Sequence, residues 1–145
     1  MRARILFVED QPEYFAPFIE ALQKSYELEQ AEDLTAAVEV LSVQEFDLLI
    51  IDIMLPKGTR EFPGIDDRRS GLHLIRLIRG EVGDEGVKLK CQAQIPILAI
   101  TAVSDSSAHR ALEAVRVKRI AKPFSMSEVV EIIGTMLKGR ADVPE

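Results

Sequence analysis

Short apolar runs alternate along the chain with longer stretches in which apolar residues recur three and four positions apart. The runs are Ile5–Val8, Tyr26–Leu28, Leu48–Ile53, Ile97–Ile100 and Val117–Ala121. The third and fourth are apolar at odd and even positions alike and rich in β-branched residues, which suits strands buried on both faces of a parallel sheet. The second and fifth are weaker and rest partly on their spacing. Between them, Phe15, Phe18, Ile19 and Leu22 form one helical stripe, Leu34, Ala37, Val38 and Leu41 a second, and Leu72, Ile75, Leu77 and Ile78 a third. The last helix is the clearest. Ser125 and Glu128 have the spacing of a capping box, Val129, Val130, Ile132, Ile133, Met136 and Leu137 supply a stripe, and Gly139 reads as its stop. Strands alternating with helices predict an α/β domain: a parallel sheet whose right-handed crossovers place helices on both faces.

Two segments exceed a minimal strand-helix layout. Residues 57–70 follow the third strand without clear periodicity, and residues 80–94 carry three glycines, mixed charges and Cys91 before the fourth strand. Loops of that length inside a compact domain are uncommon and are often functional or mobile. The tail 140–145 reads as a frayed end.

Composition narrows the class without naming a chemistry. A chain of 145 residues has a one-domain length, enough to bury roughly 68–70% of its unfolded surface without a disulfide or structural metal. Eighteen Lys and Arg against 24 Asp and Glu give a formal charge of −6, which argues against a surface that grips nucleic acid or an anionic membrane. The single cysteine, Cys91, excludes an intramolecular disulfide and a zinc site built from several thiolates. Four apolar residues after Met-Arg-Ala-Arg are too few for a signal-peptide core, and no later run approaches a membrane span. A soluble, cytoplasmic protein is the expectation.

The chemistry concentrates where strands end. In open parallel sheets, sites form at the carboxyl ends of strands, around the point where strand order reverses. Glu9 and Asp10 close the first run, Asp52 interrupts the third, Thr101 follows the fourth, and Lys122 follows the fifth just before Pro123. Singly, each acid reads as a cap, Thr101 as a helix or turn cap and Lys122 as a solvated lysine. As a set, they make a site. Three clustered carboxylates repel one another and attract a hard divalent ion such as Mg²⁺ or Mn²⁺. A carboxylate can accept a phosphoryl group, and the metal, the Lys122 ammonium, the Thr101 hydroxyl and the Ala102 backbone N–H can meet the charge on its oxygens.

Val8-Glu9-Asp10-Gln11-Pro12, Asp52-Ile53-Met54-Leu55-Pro56, Thr101-Ala102 and Lys122-Pro123-Phe124, in that order, resemble the motifs of two-component response-regulator receiver domains. The resemblance spans residues 3 to about 138. It implies a doubly wound, five-stranded parallel sheet of flavodoxin-like order 2-1-3-4-5, with a receiver domain over 1–139. It also implies roles. Asp52 matches the phosphoacceptor, Asp10 a direct metal ligand, Glu9 an acid acting through metal-bound water, and the Met54 backbone carbonyl a further ligand. Thr101 would contact the phosphoryl group and move on activation, Lys122 would pair with it, and the Lys122–Pro123 bond would be cis. The implied partners are a histidine kinase or histidine phosphotransfer protein as donor, a downstream protein effector, and a second copy of the chain. Output through protein contact, without an effector domain, follows as an expectation.

Two departures stand out. Receivers usually carry an aromatic residue or His three positions before the lysine, where this chain has Arg119. Arg119 reads either as a tolerated variant, which puts the usual threonine–aromatic coupling in doubt, or as a surface contact for a partner. The fourteen residues 57–70 replace a connection usually of a few residues, and they read either as a solvated insertion or as a shield over the site. His73 and His109 read as surface or rim residues, and Cys91 as having no chemical role. A receiver-like interaction module that needs no phosphorylation is the alternative function. A phosphohydrolase of the haloacid-dehalogenase type is disfavoured, because Met54 stands where that class needs a second acid.

Overall fold

The computed structural model describes residues 2–60, 62, 64–65, 69–84, 86–102 and 106–141, the last three of these as backbone only. Five parallel strands, β1 (Arg4–Val8), β2 (Glu27–Ala31), β3 (Leu48–Asp52), β4 (Ile97–Ala102) and β5 (Lys118–Lys122), lie in the order β2-β1-β3-β4-β5. The helices are α1 (Ala16–Gln23), preceded by a 3₁₀ turn over Pro12–Phe15, then α2 (Leu34–Val43), α3 (Ser70–Arg79), α4 (Ser106–Ala114) and α5 (Met126–Ala141). The expected flavodoxin-like order is observed, and strand order reverses between β1 and β3.

Side-chain parity divides the core in two. Ile5, Phe7, Leu48, Ile50, Leu98, Ile100 and Ile120 face Phe18, Ile19 and Leu22 of α1 and Val129 and Ile133 of α5. Leu6, Val8, Leu49, Ile51, Ile97 and Ala99 face the apolar stripes of α2, α3 and α4. Successive strand residues point to opposite faces, so β1, β3 and β4 are apolar at both parities away from their ends, which satisfies both layers. Leu74, outside the expected stripe of α3, is fully buried, whereas Leu77 is partly exposed.

Two boundaries differ from the sequence expectation. β2 runs over Glu27–Ala31 rather than Tyr26–Leu28, so it includes polar Glu29 and Gln30. As the sheet's edge strand it is only partly covered, and backbone pairing with β1 defines it more than apolar pattern does. Gly139 does not end α5, which continues to Ala141. Glycine weakens a helix by about 1 kcal/mol relative to alanine but leaves its N–H and C=O in the ladder. The Ser125 hydroxyl accepts the Glu128 N–H at 3.1 Å, as a capping residue does.

The two long connections are fastened at several points. Asp33 caps α2 by accepting the Ala36 N–H at 2.7 Å. The first amides of α2 have no partner within the helix, and here they hold the chain leaving β3: Leu34 N–H donates to Pro56 O at 2.9 Å and Thr35 N–H to Lys57 O at 3.0 Å. Arg60 then pairs with Asp84 at 3.1 Å, joining the first insertion to the second. Arg79, at the end of α3, donates to Ala93 O and Ile95 O at 2.7 Å each and to Val115 O at 3.1 Å.

Gly71 sets how closely α3 returns to the site. Its N–H donates to Ile53 O at 3.2 Å, and a Cβ there would lie 2.0 Å from the backbone oxygen of Asp52. Gly134, inside α5, has nothing within 4 Å of an added Cβ. Gly71→Ala is therefore expected to destabilise the fold by about 3 kcal/mol through overpacking, and Gly134→Ala to stabilise it by about 0.5–1 kcal/mol. Denaturation midpoints of the two variants check both signs.

Candidate functional site

Four strand ends meet at one edge of the sheet. β1 delivers Glu9 and Asp10 just past Val8, and β3 ends on Asp52, one strand across the point where strand order reverses. β4 contributes Thr101 and Ala102, and β5 ends on Lys122, beside Ala102 in register. Glu9 and Asp52 are each 3% exposed and Thr101 2%, whereas Asp10 is exposed. Sealing acids at the end of such strands carries a desolvation cost, which neighbours must offset.

The offset comes from named donors. The Lys122 ammonium donates to Asp52 Oδ2 at 2.9 Å and stands 3.8 Å from Glu9 Oε2. The Met54 N–H donates to Asp52 Oδ1 at 3.0 Å. The Gln11 N–H donates to Glu9 Oε1 at 3.3 Å, but Glu9 Oε2 is buried without a hydrogen bond. Lys122 also passes 5.5 Å from the Phe15 ring centroid, within cation–π range. The Lys122–Pro123 peptide bond is cis. The Met54 side chain is 54% exposed beside the cluster, so a polar side chain is not needed there.

Glu9, Asp10 and Asp52 can each direct one carboxylate oxygen so that all three lie within 4.8 Å. Oxygen-only donors suit a hard divalent cation, and such a cation would meet the unpaired Glu9 Oε2. The cluster can therefore hold a divalent metal. Without one, burial above all, and then the neighbouring Asp52, push the Glu9 carboxyl up to about 8, against a partial opposing pull from Lys122 and the Gln11 N–H.

The structure also brings together residues that the sequence left apart. His109, expected at the surface or rim, is half-buried, and its Nε2 lies 3.1 Å from Thr101 Oγ1. The two stand eight positions apart in sequence, and His109 lies in the first turn of α4. That spacing is the available sequence signal, but it has no meaning until α4 is known to fold back over β4. Arg119 does reach the surface, yet it is engaged, donating to Glu113 Oε1 at 3.0 Å and to His109 O at 3.3 Å. His73 packs edge-on against Phe62 with ring centroids 6.0 Å apart, and burial lowers its pKa. Cys91 is free, half-buried, and shifted upward by that burial. Among the described residues, no helix is long and apolar enough to cross a membrane. The segment 57–70, read either as a solvated insertion or as a shield, falls partly on 61, 63 and 66–68, outside the described residues.

A doubly wound parallel sheet with three acids, a threonine and a lysine at its carboxyl edge defines a class of α/β domain with a metal-competent acidic site, and comparison with known proteins gives the family. A family model described as "Response regulator receiver domain" matches residues 5–134. The chain belongs to that family. Phosphate regulon transcriptional regulatory protein PhoB of Klebsiella pneumoniae is 31% identical over 144 residues, covering 95% of this chain and 53% of PhoB. This chain thus spans about half the length of the curated relatives it matches. A CheY-like receiver domain protein from Methanospirillum hungatei JF-1 superposes with a TM-score of 0.76 at 18% identity, covering 97% of this chain and 98% of that one. The receiver domain of sensor histidine kinase PA1611 from Pseudomonas aeruginosa PAO1, with a magnesium ion coordinated in its active site cleft, superposes at 0.69 with 22% identity, covering 95% and 99%. Receiver domains as a family are self-catalysing phosphoacceptors in two-component signalling rather than turnover enzymes.

The Glu9 shift fixes a pH dependence. Between about 4.5 and about 8 the folded state holds a proton that the unfolded chain releases, so folding stability falls as pH rises through that window. In chelator-treated protein, the thermal midpoint is expected to drop from about pH 5 to about pH 8. Glu9→Gln should remove much of that drop, and an unchanged slope would refute the assignment to Glu9.

Proposed function

We propose that Asp52 accepts a phosphoryl group from a phosphohistidine donor in a Mg²⁺-dependent step, and that the acyl phosphate switches the domain between two surface states. The observation that carries this reading is the Lys122–Asp52 contact at 2.9 Å within a three-carboxylate cluster. Met54 N–H and Lys122 bind opposite oxygens of the Asp52 carboxylate, which orients it. In this reading Asp10 and Asp52 would hold the metal directly, Glu9 through water, and the Met54 carbonyl would add a ligand, and the bound metal would supply positive charge that screens the phosphoryl oxygens from the acids. Lys122 would neutralise further charge, and the Ala102 N–H and, on turning from His109, the Thr101 hydroxyl would contact the transferred group. Nucleophilic attack by one Asp52 oxygen forms the O–P bond as the N–P bond breaks in a donor whose other ring nitrogen carries a proton; the electron pair passes to nitrogen and the imidazole leaves neutral.

The receiver domain is taken as residues 1–139 with 140–145 as a tail. The donor is a histidine kinase or a histidine phosphotransfer protein, and the downstream partner is a protein effector or a second copy of the chain. For the donor contact, a cavity of about 370 Å³ opens beside Lys122, lined by Tyr14, Phe15, Pro17, Phe18, Phe124 and Met126. Its apolar wall continues into the phosphoacceptor edge through Lys122, so a partner that brings phosphohistidine to Asp52 must pass over it. Tyr14, 74% exposed, is its most accessible ring.

Incubation with Mg²⁺ and a small phosphodonor is expected to add one phosphoryl group, stable to acid and labile to base, by intact mass. Asp52→Asn should abolish the adduct, and chelation should suppress it. A folded protein that forms no adduct with several donors would instead support the interaction module that needs no phosphorylation. Tyr14→Ala is expected to slow transfer from a phosphohistidine protein by about tenfold, the effect of losing roughly 1.4 kcal/mol at a contact, while transfer from the small donor stays unchanged. Equal slowing with both donors would rule the groove out as the docking site.

A further inference from the structure

The two lateral edges of the sheet carry opposite charge. Strand order puts β2 at one edge and β5 at the other, about 19 Å apart at the usual strand spacing. From the start of α1 to the end of α2, residues 16–43 hold six acids against one lysine. From the start of α4 to the end of β5, residues 106–122 hold five cations against one glutamate. Part of each set is neutralised within the chain: Arg4 pairs with Glu27 and Glu29, Lys122 with Asp52, and Arg119 with Glu113. Glu20, Glu32 and Glu39 stay exposed on the first flank, and Arg110, Arg116 and Lys118 on the second. Among the described residues, none of these six has an ion-pair partner. Burial first, and then the Arg116 charge, hold the nearby Arg79 guanidinium below its ordinary value, so the second flank's positive charge already acts on its own neighbours.

Charged residues on edge strands ordinarily keep the sheets of separate molecules apart, and they do so when the edges that meet share a sign. Here a β2 edge opposes a second β2 edge, and a β5 edge a second β5 edge, but β2 does not oppose β5. We propose that the α4–β5 flank of one copy docks against the α1–β2–α2 flank of the next, so that the chain associates with itself head to tail. The occupant is a second copy because the same chain carries, in equal number, the unpaired acids that answer Arg110, Arg116 and Lys118. The formal charge of −6 does not forbid this. At about 0.15 M salt the Debye length is about 8 Å, less than half the separation of the two edges, so an approaching copy meets the flank before it rather than the molecular sum. Because the two contacting surfaces differ, each pair keeps one flank of either kind free, and the assembly extends as a row instead of closing at two. The proposal goes beyond the phosphoacceptor reading and does not depend on it, since none of the six residues belongs to the acidic site.

Sedimentation equilibrium of the full chain over a concentration series tests this. At about 0.15 M salt the weight-average mass should rise with concentration past that of two copies. At about 1 M, where the Debye length is about 3 Å, it should fall back toward that of one. Arg116→Glu with Lys118→Glu, and separately Glu32→Lys with Glu39→Lys, should each weaken association by about tenfold or more, as two attractive pairs become like charges. All four side chains are exposed, so thermal midpoints should stay close to that of the unmodified chain and show that both variants fold. An equimolar mixture of the two variants should associate again, because the acidic flank of one meets the basic flank of the other. A mass independent of concentration at 0.15 M, association that strengthens with salt, or a mass that stops at two copies would each overturn the head-to-tail contact. So would a folded Glu32→Lys, Glu39→Lys variant that associates by itself as well as the unmodified chain, since two like flanks would then be in contact. A mixture that stays monomeric would overturn it too.

Discussion

A lysine ammonium set against two buried carboxylates at the end of the sheet is the constraint on which the site depends. Lys122 lies 2.9 Å from Asp52 and 3.8 Å from Glu9, and it can do so only because β5 ends where β3 and β1 end. The strands stop in step because all five are parallel and their crossovers return each one to the same edge. Lys122 still leaves Glu9 short of a partner, and the carboxyl keeps its proton up to about 8. A site in this condition is prepared for more positive charge than the protein itself provides.

The sheet's two faces divide the labour. Charge chemistry sits on the α1/α5 parity, with Asp52 and Lys122, while Thr101 and Arg119 sit on the parity that faces α4. Thr101 is therefore placed at the boundary, adjacent to the acids by strand order and bonded to α4 by side-chain direction. Arg119 holds the helix through a hydrogen bond and an ion pair.

The enlarged connections are structural as far as they are described. The amides at the start of α2 grip Pro56 and Lys57, Arg60 bridges to Asp84, and Arg79 gathers Ala93, Ile95 and Val115. The two insertions thus support one another across the α2–α3 side of the sheet. Gly71 lets the start of α3 return within contact of the Asp52 carbonyl, so the Asp52 backbone is braced from behind by that helix.

The doubly apolar runs at β1, β3 and β4 were legible in the sequence, because strands buried on both faces leave no position for a polar residue except at the end. That same rule made Glu9, Asp52 and Thr101 conspicuous: each is the polar residue at which such a run stops. β2 was misplaced because an edge strand is defined by pairing with β1 more than by burial, and pairing leaves little trace in composition. Gly139 misled for a related reason, since glycine lowers helix stability without forbidding helix. His109 and Arg119 could not be assigned from local pattern at all. Their roles depend on α4 lying over β4 and β5, a relation between segments whose energy comes from contact across the fold. The sequence by itself determined which residues stand at the strand ends and what chemistry they can perform. Tertiary structure decided which of them touch, because side-chain parity and helix placement, rather than residue type, set the direction in which Thr101 makes its bond.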